Sequence, residues 1–258
     1  MTCTQSILNV FNTFFPSQNS KGATLMSTHA IDLLQTPPDV FSCLCFRQIC
    51  LCQRSPFARL VFLDWDDTML SSTFLLDKGY KPTEVFALPQ ELAEELELLE
   101  TTVIDFLNFV STTATTYIVT NSSNGWVQLS AKCFFPRLAS LLDQFPVISA
   151  RSLYEGRFPN RPLEWKKACF EQLFNEFRKG KPQYGVYECI SVGDSEADRK
   201  GILHLQQLYP HIICKCVKLV ESPTPFYLRK QLELLRVNLM TLLRHHQTID
   251  LNVSVKQT

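Results

Sequence analysis

The sequence predicts an α/β fold in which about five parallel strands carry helices on both faces. Short, continuously apolar runs recur along the chain, as is typical of strands that are buried on both faces of a sheet. Between them lie segments whose apolar residues recur every three or four positions, which indicates amphipathic helices. Because strand and helix alternate, we expect a parallel sheet whose ligands bind beyond the carboxyl ends of the strands.

The elements follow one another from Arg59 onward. The first strand is RLVFLD, and later strands are predicted at 115–120, 146–150, 187–192 and 212–219. Helices are predicted at 88–110, where the glutamates fall mostly on the solvated face, and at 125–143, 163–178 and 196–208. A last helix begins with Thr224 as N-cap and Pro225 in its first turn, both favoured at those positions.

Composition divides the chain into three parts. Residues 1–56 carry few charges, contain Pro37-Pro38 and show no sustained period, which predicts a partly disordered N-terminal extension, Cys-rich at its end. Residues 57–250 hold the alternating pattern and are expected to form the folded domain. Residues 251–258 are expected to form a C-terminal tail.

The charge balance argues against several classes of partner. Lys and Arg number 25, as do Asp and Glu, so no bulk field favours nucleic acid or anionic lipid. No apolar run reaches the ~18 residues that span a bilayer, and the N-terminus lacks the features of an export signal. We therefore expect a cytoplasmic protein with no nucleic-acid partner and no transmembrane segment.

The ten cysteines are interpreted as reduced thiols, because the chain is long and shows no export signal. Four of them, Cys43, Cys45, Cys50 and Cys52, crowd the end of the N-terminal extension. Three hypotheses remain open: thiols without a specific role, S-acylation of an apolar segment, and a zinc site, for which the C-x-C spacing is tighter than usual.

Two groups of carboxylates follow predicted strands. LDWDDTML places Asp64 at the end of the first strand and Asp66 two residues later, and SVGDSEAD places Asp194 after the fourth strand and Asp198 four residues on. Aspartates are also common in turns, but two such groups at one edge of a sheet would repel each other without a cation. Oxygen ligands without a nearby histidine favour Mg²⁺ over zinc.

Polar residues after the second strand and lysines before the fourth suggest an anion site. Thr120 ends its strand and Asn121 opens the segment NSSNGW, whose hydroxyls, amides and helix-starting N–H groups suit an oxyanion, although such residues are also ordinary in loops. PLEWKKACF begins a helix with Lys166 and Lys167. Either lysine would bring a cation to the crevice, and both are equally typical of a solvated surface.

Over about residues 59–235, the chain resembles the haloacid dehalogenase (HAD) superfamily in four motifs that occur in the same order. They are Asp-x-Asp-x-Thr, apolar-Thr, Lys and Gly-Asp-x-x-x-Asp. LDWDDTML, VTNSSNGWV, ISAR and WKKACF are also similar to a group of largely uncharacterised HAD-like proteins of unicellular eukaryotes. The resemblance implies a HAD-like Rossmannoid fold, with 57–250 as its catalytic domain. It also implies phosphoryl transfer through an aspartyl-phosphate.

The resemblance assigns a role to each motif residue. Asp64 would be the nucleophile, and Asp66 would protonate the leaving oxygen and then deprotonate water. Thr120, Asn121 and Lys166 would bind the phosphoryl oxygens. Relatives carry the lysine directly after the Trp, which favours Lys166 over Lys167. The ligands implied for Mg²⁺ are Asp64, the main-chain carbonyl of Asp66, Asp194 and, in support, Asp198.

Two departures from the superfamily pattern stand out. Asp67 occupies a position where many of its phosphatases have Gly. The intervals from Asp64 to Thr120 and from Thr120 to Lys166 are too short for a full cap domain beside their predicted helices, so we expect a capless member with an open site. The leading hypothesis is a Mg²⁺-dependent phosphatase acting on a phosphoprotein or other large substrate. The alternatives are a phosphotransferase, a small-metabolite phosphatase and a weakly active protein-binding module.

Overall fold

The structure is a computed structural model that describes residues 57–181 and 186–253. The predicted N-terminal extension over 1–56 lies outside the described residues, as does its cluster of four cysteines. Of the predicted C-terminal tail, residues 254–258 lie outside them as well. The hypotheses about S-acylation or zinc at those cysteines therefore stay hypotheses.

The centre of the molecule is a six-stranded sheet in the order β3-β2-β1-β4-β5-β6, and every neighbouring pair in it is parallel. The α/β prediction is confirmed, with one strand more than the five expected. The strands are β1 (Phe57–Leu63), β2 (Thr115–Thr120), β3 (Val147–Ser149), β4 (Val186–Gly193), β5 (Ile213–Lys218) and β6 (Ile249–Asn252).

Helices cover both faces of this sheet. Along β1, Val61 and Leu63 pack into one apolar core, whereas Leu60 and Phe62 pack into a second one on the opposite face, because side chains alternate along a strand. The helices are α1 (Ser72–Asp77), α2 (Gln90–Thr113), α3 (Trp126–Phe134), α4 (Pro136–Ala139), α5 (Ala150–Tyr154), α6 (Pro162–Arg178), α7 (Glu196–Leu208) and α8 (Pro225–Arg244). The first core lies under α2, α3 and α8, and the second under α6 and α7. This is a Rossmann-like arrangement.

The single helix predicted over 125–143 is wrong, because the chain breaks it at Pro136. Helix α3 ends at Phe134, and Phe135 adopts φ −133° and ψ 65°. Proline lacks the N–H that would continue the helix and disfavours helical geometry in the residue before it.

Glu100 is buried although its helix carries a mostly solvated acidic face, and its carboxylate accepts a hydrogen bond from the Leu138 N–H at 2.9 Å. This contact anchors the start of α4.

The sixth strand, β6, was not predicted from the sequence. It spans position 250, where we expected the folded domain to end, so the sheet continues into the segment interpreted as a tail. Asp250 receives hydrogen bonds from the Arg199 guanidinium, including one of 2.6 Å from Nη2, and Leu251 and Val253 are buried. In the connection from β5 to β6, the predicted N-cap of α8 is confirmed: the Thr224 hydroxyl accepts a hydrogen bond from the backbone N–H of Tyr227.

The connections between the strands carry helices and no inserted domain within the described residues. The β1–β2 connection contains α1 and α2, and the β2–β3 connection contains α3, α4 and a short 3₁₀ turn at Leu142–Gln144. The absence of a full cap domain agrees with the expectation from the sequence. None of the helices in the described ranges is long and apolar enough to cross a membrane.

A buried group of charges joins the sheet to the end of α8. Glu188 on β4 accepts from both Arg59 on β1 and Lys215 on β5. Lys215 also donates to the Leu242 carbonyl at 2.6 Å, and Arg59 to the Leu243 carbonyl at 3.2 Å. The cations thus donate to carbonyls in the last turn of a helix, where positive charge is favoured. Burial, the largest cause, lowers the pKa of Lys215.

Candidate active site

The candidate site lies at the carboxyl edge of the sheet, where the strand order reverses. From β1 the chain runs outward through β2 and β3 on one side, and through β4, β5 and β6 on the other. Such a reversal opens a crevice at the strand ends. Asp64 follows β1 directly, Thr120 is the last residue of β2, and Asp194 follows β4. The sheet therefore brings these three predicted site residues to one edge.

Lys166 on α6 connects the elements around this crevice. Its ammonium nitrogen lies 2.9 Å from Asp64 Oδ1, 2.6 Å from Asp198 Oδ1 and 2.6 Å from the Val119 carbonyl oxygen. Its three protons thus have three acceptors, and the side chain is 1% exposed. Burial opposes its positive charge, but the carboxylates of Asp198 and Asp64 raise its pKa above the ordinary value. Lys167 instead pairs with Glu164 at 3.2 Å, so Lys166 is the lysine that reaches the crevice.

Three carboxylates cluster around this lysine. Oxygens of Asp64, Asp194 and Asp198 all lie within 4.8 Å of one another. Burial, followed by the charge of Asp198, raises the pKa of Asp64 well above its ordinary value. The same two causes, in the same order, raise the pKa of Asp194 to about 7. Because the described residues show one contacting ammonium against three acidic groups, this carboxylate cluster favours a further cation.

The close approach of Asp198 to the end of β4 depends on a glycine. A Cβ atom on Gly193 would lie 2.7 Å from Asp198 Cβ and 2.5 Å from its Oδ2, and closer still to Cγ. Asp198 has little freedom to move away, because it also binds the Lys166 ammonium and the Ser195 hydroxyl. Ser195 caps α7 by accepting from the Asp198 N–H. Gly193 therefore leaves the space that the carboxylate occupies.

The carboxylate of Asp66 is directed to the other side of the crevice. Its Oδ1 accepts from Ser72 Oγ at 2.5 Å and from Trp126 Nε1 at 2.7 Å. Its Oδ2 accepts from Ser122 Oγ at 2.7 Å and from Thr120 Oγ1 at 3.2 Å. The Asp66 side chain does not belong to the carboxylate cluster found among the described residues, which leaves its main-chain carbonyl as the atom implied for a metal.

The loop after β2 is fixed by its own hydrogen bonds. The Ser122 N–H donates to Thr120 Oγ1 at 2.9 Å, and the Ser122 carbonyl accepts from Ser149 Oγ, at the end of β3, at 2.6 Å. Asn121 is oriented toward α6: its Nδ2 donates to the Pro162 carbonyl at 3.3 Å. Its buried Oδ1 has no partner among the described residues. The amide of Asn121 thus contacts a backbone carbonyl, whereas the Thr120 hydroxyl contacts Asp66.

The turn after Asp66 explains the unusual residue at position 67. Asp67 has φ 52°, in the left-handed region that favours glycine and that Asp tolerates better than most residues. Its Oδ1 accepts from the Thr73 N–H at 3.0 Å, near the start of α1. Burial raises the pKa of this carboxyl. Next to it, Thr68 Oγ1 accepts from the Asp194 N–H at 3.1 Å, which ties the turn to β4.

Sequence reasoning did not single out Ser72 or Ser149, because serines are common in loops and nothing in their spacing marks them. It included Ser122 only within the segment NSSNGW, as a group for an oxyanion and not as a donor to Asp66. The chain also has two indoles at helix starts, Trp126 and Trp165, a position at which indoles more often pack than line a site. The structure separates them. Trp126 donates to Asp66, whereas Trp165 is buried and donates to the Phe158 carbonyl at 2.7 Å. The half-buried Trp126, and not the buried Trp165, is the tryptophan at the site.

The fold and the site together define a Rossmann-like α/β protein with a buried lysine–carboxylate cluster at the carboxyl edge of its sheet. Comparisons of the chain with family models, with curated proteins and with solved structures give no significant match.

Proposed function

We propose that this protein is a Mg²⁺-dependent phosphatase of the HAD type, which hydrolyses a phosphate ester through an aspartyl-phosphate on Asp64. The observation that carries the proposal is the contact of Asp64 with Lys166 inside the carboxylate cluster. A nucleophilic carboxylate needs no base to activate it, but it must be held in place and its charge must be balanced. Lys166 does both, and the position of Asp64 after β1 leaves its side chain at the crevice.

The residues present fit Mg²⁺. This ion takes oxygen ligands and commonly uses one or two carboxylates together with a phosphate, and the cluster supplies oxygens of Asp64, Asp194 and Asp198 within 4.8 Å of one another. We infer that Asp64, Asp194 and the Asp66 carbonyl would hold the ion, with Asp198 in support. When bound, Mg²⁺ supplies the positive charge that lets two anions approach each other.

The chain's own groups carry the proton and bond changes. Asp64 attacks phosphorus, and the bond from phosphorus to the leaving oxygen breaks while Asp66, protonated, gives its proton to that oxygen. In the second step Asp66 takes a proton from water as the water oxygen attacks phosphorus. This frees inorganic phosphate and restores the Asp64 carboxylate. We assign two donors to the phosphoryl oxygens: the Lys166 ammonium beside Asp64, and the Thr120 hydroxyl at the end of β2, which makes the longest of the four hydrogen bonds to Asp66.

The lack of an inserted domain among the described residues supports a large substrate. Without an inserted domain, a small ester would leave much of its surface in water and gain little binding energy from it, whereas a phosphoprotein would cover the crevice itself. Transfer to an acceptor other than water, a small-metabolite ester and a weakly active binding module are the alternative functions. The cytoplasmic location expected from the sequence is part of the same proposal, and S-acylation of the N-terminal extension stays one of three hypotheses for its cysteines.

A substrate panel tests the proposed function. Phosphosugars, nucleotides, phospholipids and phosphopeptides would be assayed for phosphate release, with Mg²⁺, with zinc and with EDTA. We expect release that requires Mg²⁺ and is highest for phosphopeptides. Asp64→Asn should lower turnover by about 10⁴-fold or more, while Asp143→Asn, at an exposed aspartate, should leave it unchanged.

Three results would contradict this function. They are activity that survives thorough chelation, activity that zinc restores better than Mg²⁺, and an Asp64→Asn variant that keeps more than about a hundredth of the wild-type rate, since loss of a nucleophile costs far more. A rise in total product when alcohols are added as acceptors would favour the phosphotransferase.

A further inference from the structure

The carboxylate of Asp66 has an unusually complete set of donors. A carboxylate offers about four lone-pair positions, and Asp66 receives four hydrogen bonds, from Ser72, Thr120, Ser122 and Trp126. All four donors are neutral. Asp64, two residues earlier, is instead held by the Lys166 ammonium. The two aspartates of one motif are therefore fixed by different chemistry.

The donors come from three separate parts of the chain. Ser72 is the first residue of α1, Ser122 lies in the loop after β2, and Trp126 is the first residue of α3. Gly125, with φ 85°, turns the chain directly before Trp126, a conformation that glycine adopts at little cost. The indole N–H is a single donor, and at 2.7 Å it is committed to Asp66.

Thr120 differs from the other three donors. Its hydroxyl has one proton, which points at Asp66, while its oxygen accepts from the Ser122 N–H. If the Thr120 hydroxyl donates its hydrogen bond to a phosphoryl oxygen instead, Asp66 loses one of its four hydrogen bonds. Trp126, Ser122 and Ser72 do not face the same competition, since none of them is assigned to the phosphoryl group.

We propose that Trp126, together with Ser122 and Ser72, is a positioning residue for Asp66. This inference rests on the proposed function. The three donors keep the carboxyl group of the acid/base residue in one orientation after Thr120 turns to the substrate, and the position on Oδ2 that Thr120 vacates is where the transferred proton resides. A misoriented Asp66 delivers its proton less efficiently to the leaving oxygen. The effect concerns proton transfer only, so it grows as the leaving group becomes more basic.

The experiment measures kcat/KM for a series of aryl phosphates whose leaving groups range from strongly acidic nitrophenols to phenol itself, with Mg²⁺ present. The constant kcat/KM reports steps up to the first release of product, which includes transfer of the phosphoryl group to Asp64. Trp126→Phe removes the N–H and keeps an aromatic ring in a half-exposed position. Ser122→Ala removes a second donor. Ser111→Ala, at an exposed serine in the last turn of α2, is the matched control.

For phenyl phosphate we expect Trp126→Phe and Ser122→Ala each to lower kcat/KM by about tenfold to hundredfold, a part of the 10²–10⁴-fold that general acid catalysis contributes. For the most acidic nitrophenol the loss should shrink to about twofold or less, because that leaving group departs without a proton. Mg²⁺ affinity and the melting temperature should stay at the wild-type values, which a purely structural role would not allow.

Equal losses across the series, or variants that behave as Ser111→Ala does, would overturn the inference while leaving the proposed function in place. A wild-type protein without metal-dependent turnover on any aryl phosphate would overturn both together. If Trp126→Phe does not fold, Ser122→Ala, which removes a single oxygen atom and leaves the backbone contacts of that loop, decides between these outcomes.

Discussion

Gly193→Ala provides a direct test of how tightly the site is built. The added Cβ would lie 2.7 Å from Asp198 Cβ and 2.5 Å from Asp198 Oδ2, well inside normal contact distance. Asp198 is 2% exposed and is bound to Lys166 and to Ser195. It therefore cannot yield without giving up a buried ion pair. Neither can β4 move readily, because it is paired with β1 and β5 on its two sides.

The expected cost follows from two effects. Overpacking a well-packed interior costs about 1–3 kcal/mol, and breaking a buried ion pair from one side costs about 3–5 kcal/mol. Because the protein can relax and so reduce the overpacking and the strain on the ion pair, we expect a loss of about 3 kcal/mol in the free energy of unfolding. For a domain of this size that corresponds to a fall of about 6–12 °C in melting temperature. Mg²⁺ should also bind more weakly.

Calorimetry and Mg²⁺ titration would be run on Gly193→Ala beside Gly156→Ala. At Gly156 an added Cβ meets nothing within 4 Å, so we expect a change within about 0.5 kcal/mol. In an Asp198→Ala background the cost of Gly193→Ala should fall, since the contacts to Cγ and Oδ2 vanish and only that to Cβ remains. Equal costs in the two backgrounds, or a Gly193→Ala protein as stable as Gly156→Ala, would refute the reasoning.

Three further predictions concern charges. Lys166→Met should lower the free energy of unfolding by about 3–5 kcal/mol because buried carboxylates lose their counter-ion. Lys167→Met should change the same free energy by less than about 0.5 kcal/mol. Urea unfolding measures both variants, and similar values would count against the pairing of Lys166 with the carboxylates. Asp194 has a folded pKa raised to about 7 from the ordinary 3.8, first by burial, so its contribution to stability is complete below about pH 4 and is lost as the pH rises through 7. Melting temperatures in EDTA should therefore fall over that range and fall less in Asp194→Asn, and identical slopes would contradict the shift. Glu188→Gln leaves Lys215 buried without a carboxylate and should lower the free energy of unfolding by about 3–5 kcal/mol, with kcat unchanged. A loss of kcat without a loss of stability would instead link the Glu188 charge group to the site.

The positions of the acidic site residues could be predicted from the sequence because the strands that carry them are buried on both faces. A continuous apolar run such as RLVFLD has a clear end, and whatever follows it lies at the carboxyl edge. Asp64 and Asp194 could be located in this way. The choice between Lys166 and Lys167 could not be made from composition, because it depends on the rotation of α6 against the sheet. Cys169 and Phe170 face the core, and this rotation turns Lys166 inward.

Other features depend on contacts that leave no local pattern. The donors to Asp66 lie between six and 60 positions away along the chain, in residue types that are common in loops. Strand β6 has four residues, of which Leu251 alone is buried, so no apolar run in the sequence predicts this strand. Glu188 and Lys215 are charged residues inside central strands, which sequence rules disfavour, and they are stable there because folding brings them together.

The position of β1 has a consequence for synthesis on the ribosome. β1 lies between β2 and β4, and its residue Arg59 reaches its carboxylate partner across 129 positions. β1, the first of the described strands to emerge, thus gains its second neighbour only after β4 has been translated. Until then one long edge of an apolar strand has no neighbour, and exposed edges of this kind invite pairing with other chains. Distant pairing also folds slowly, so the nascent chain is most exposed to misassembly between the synthesis of β3 and that of β4.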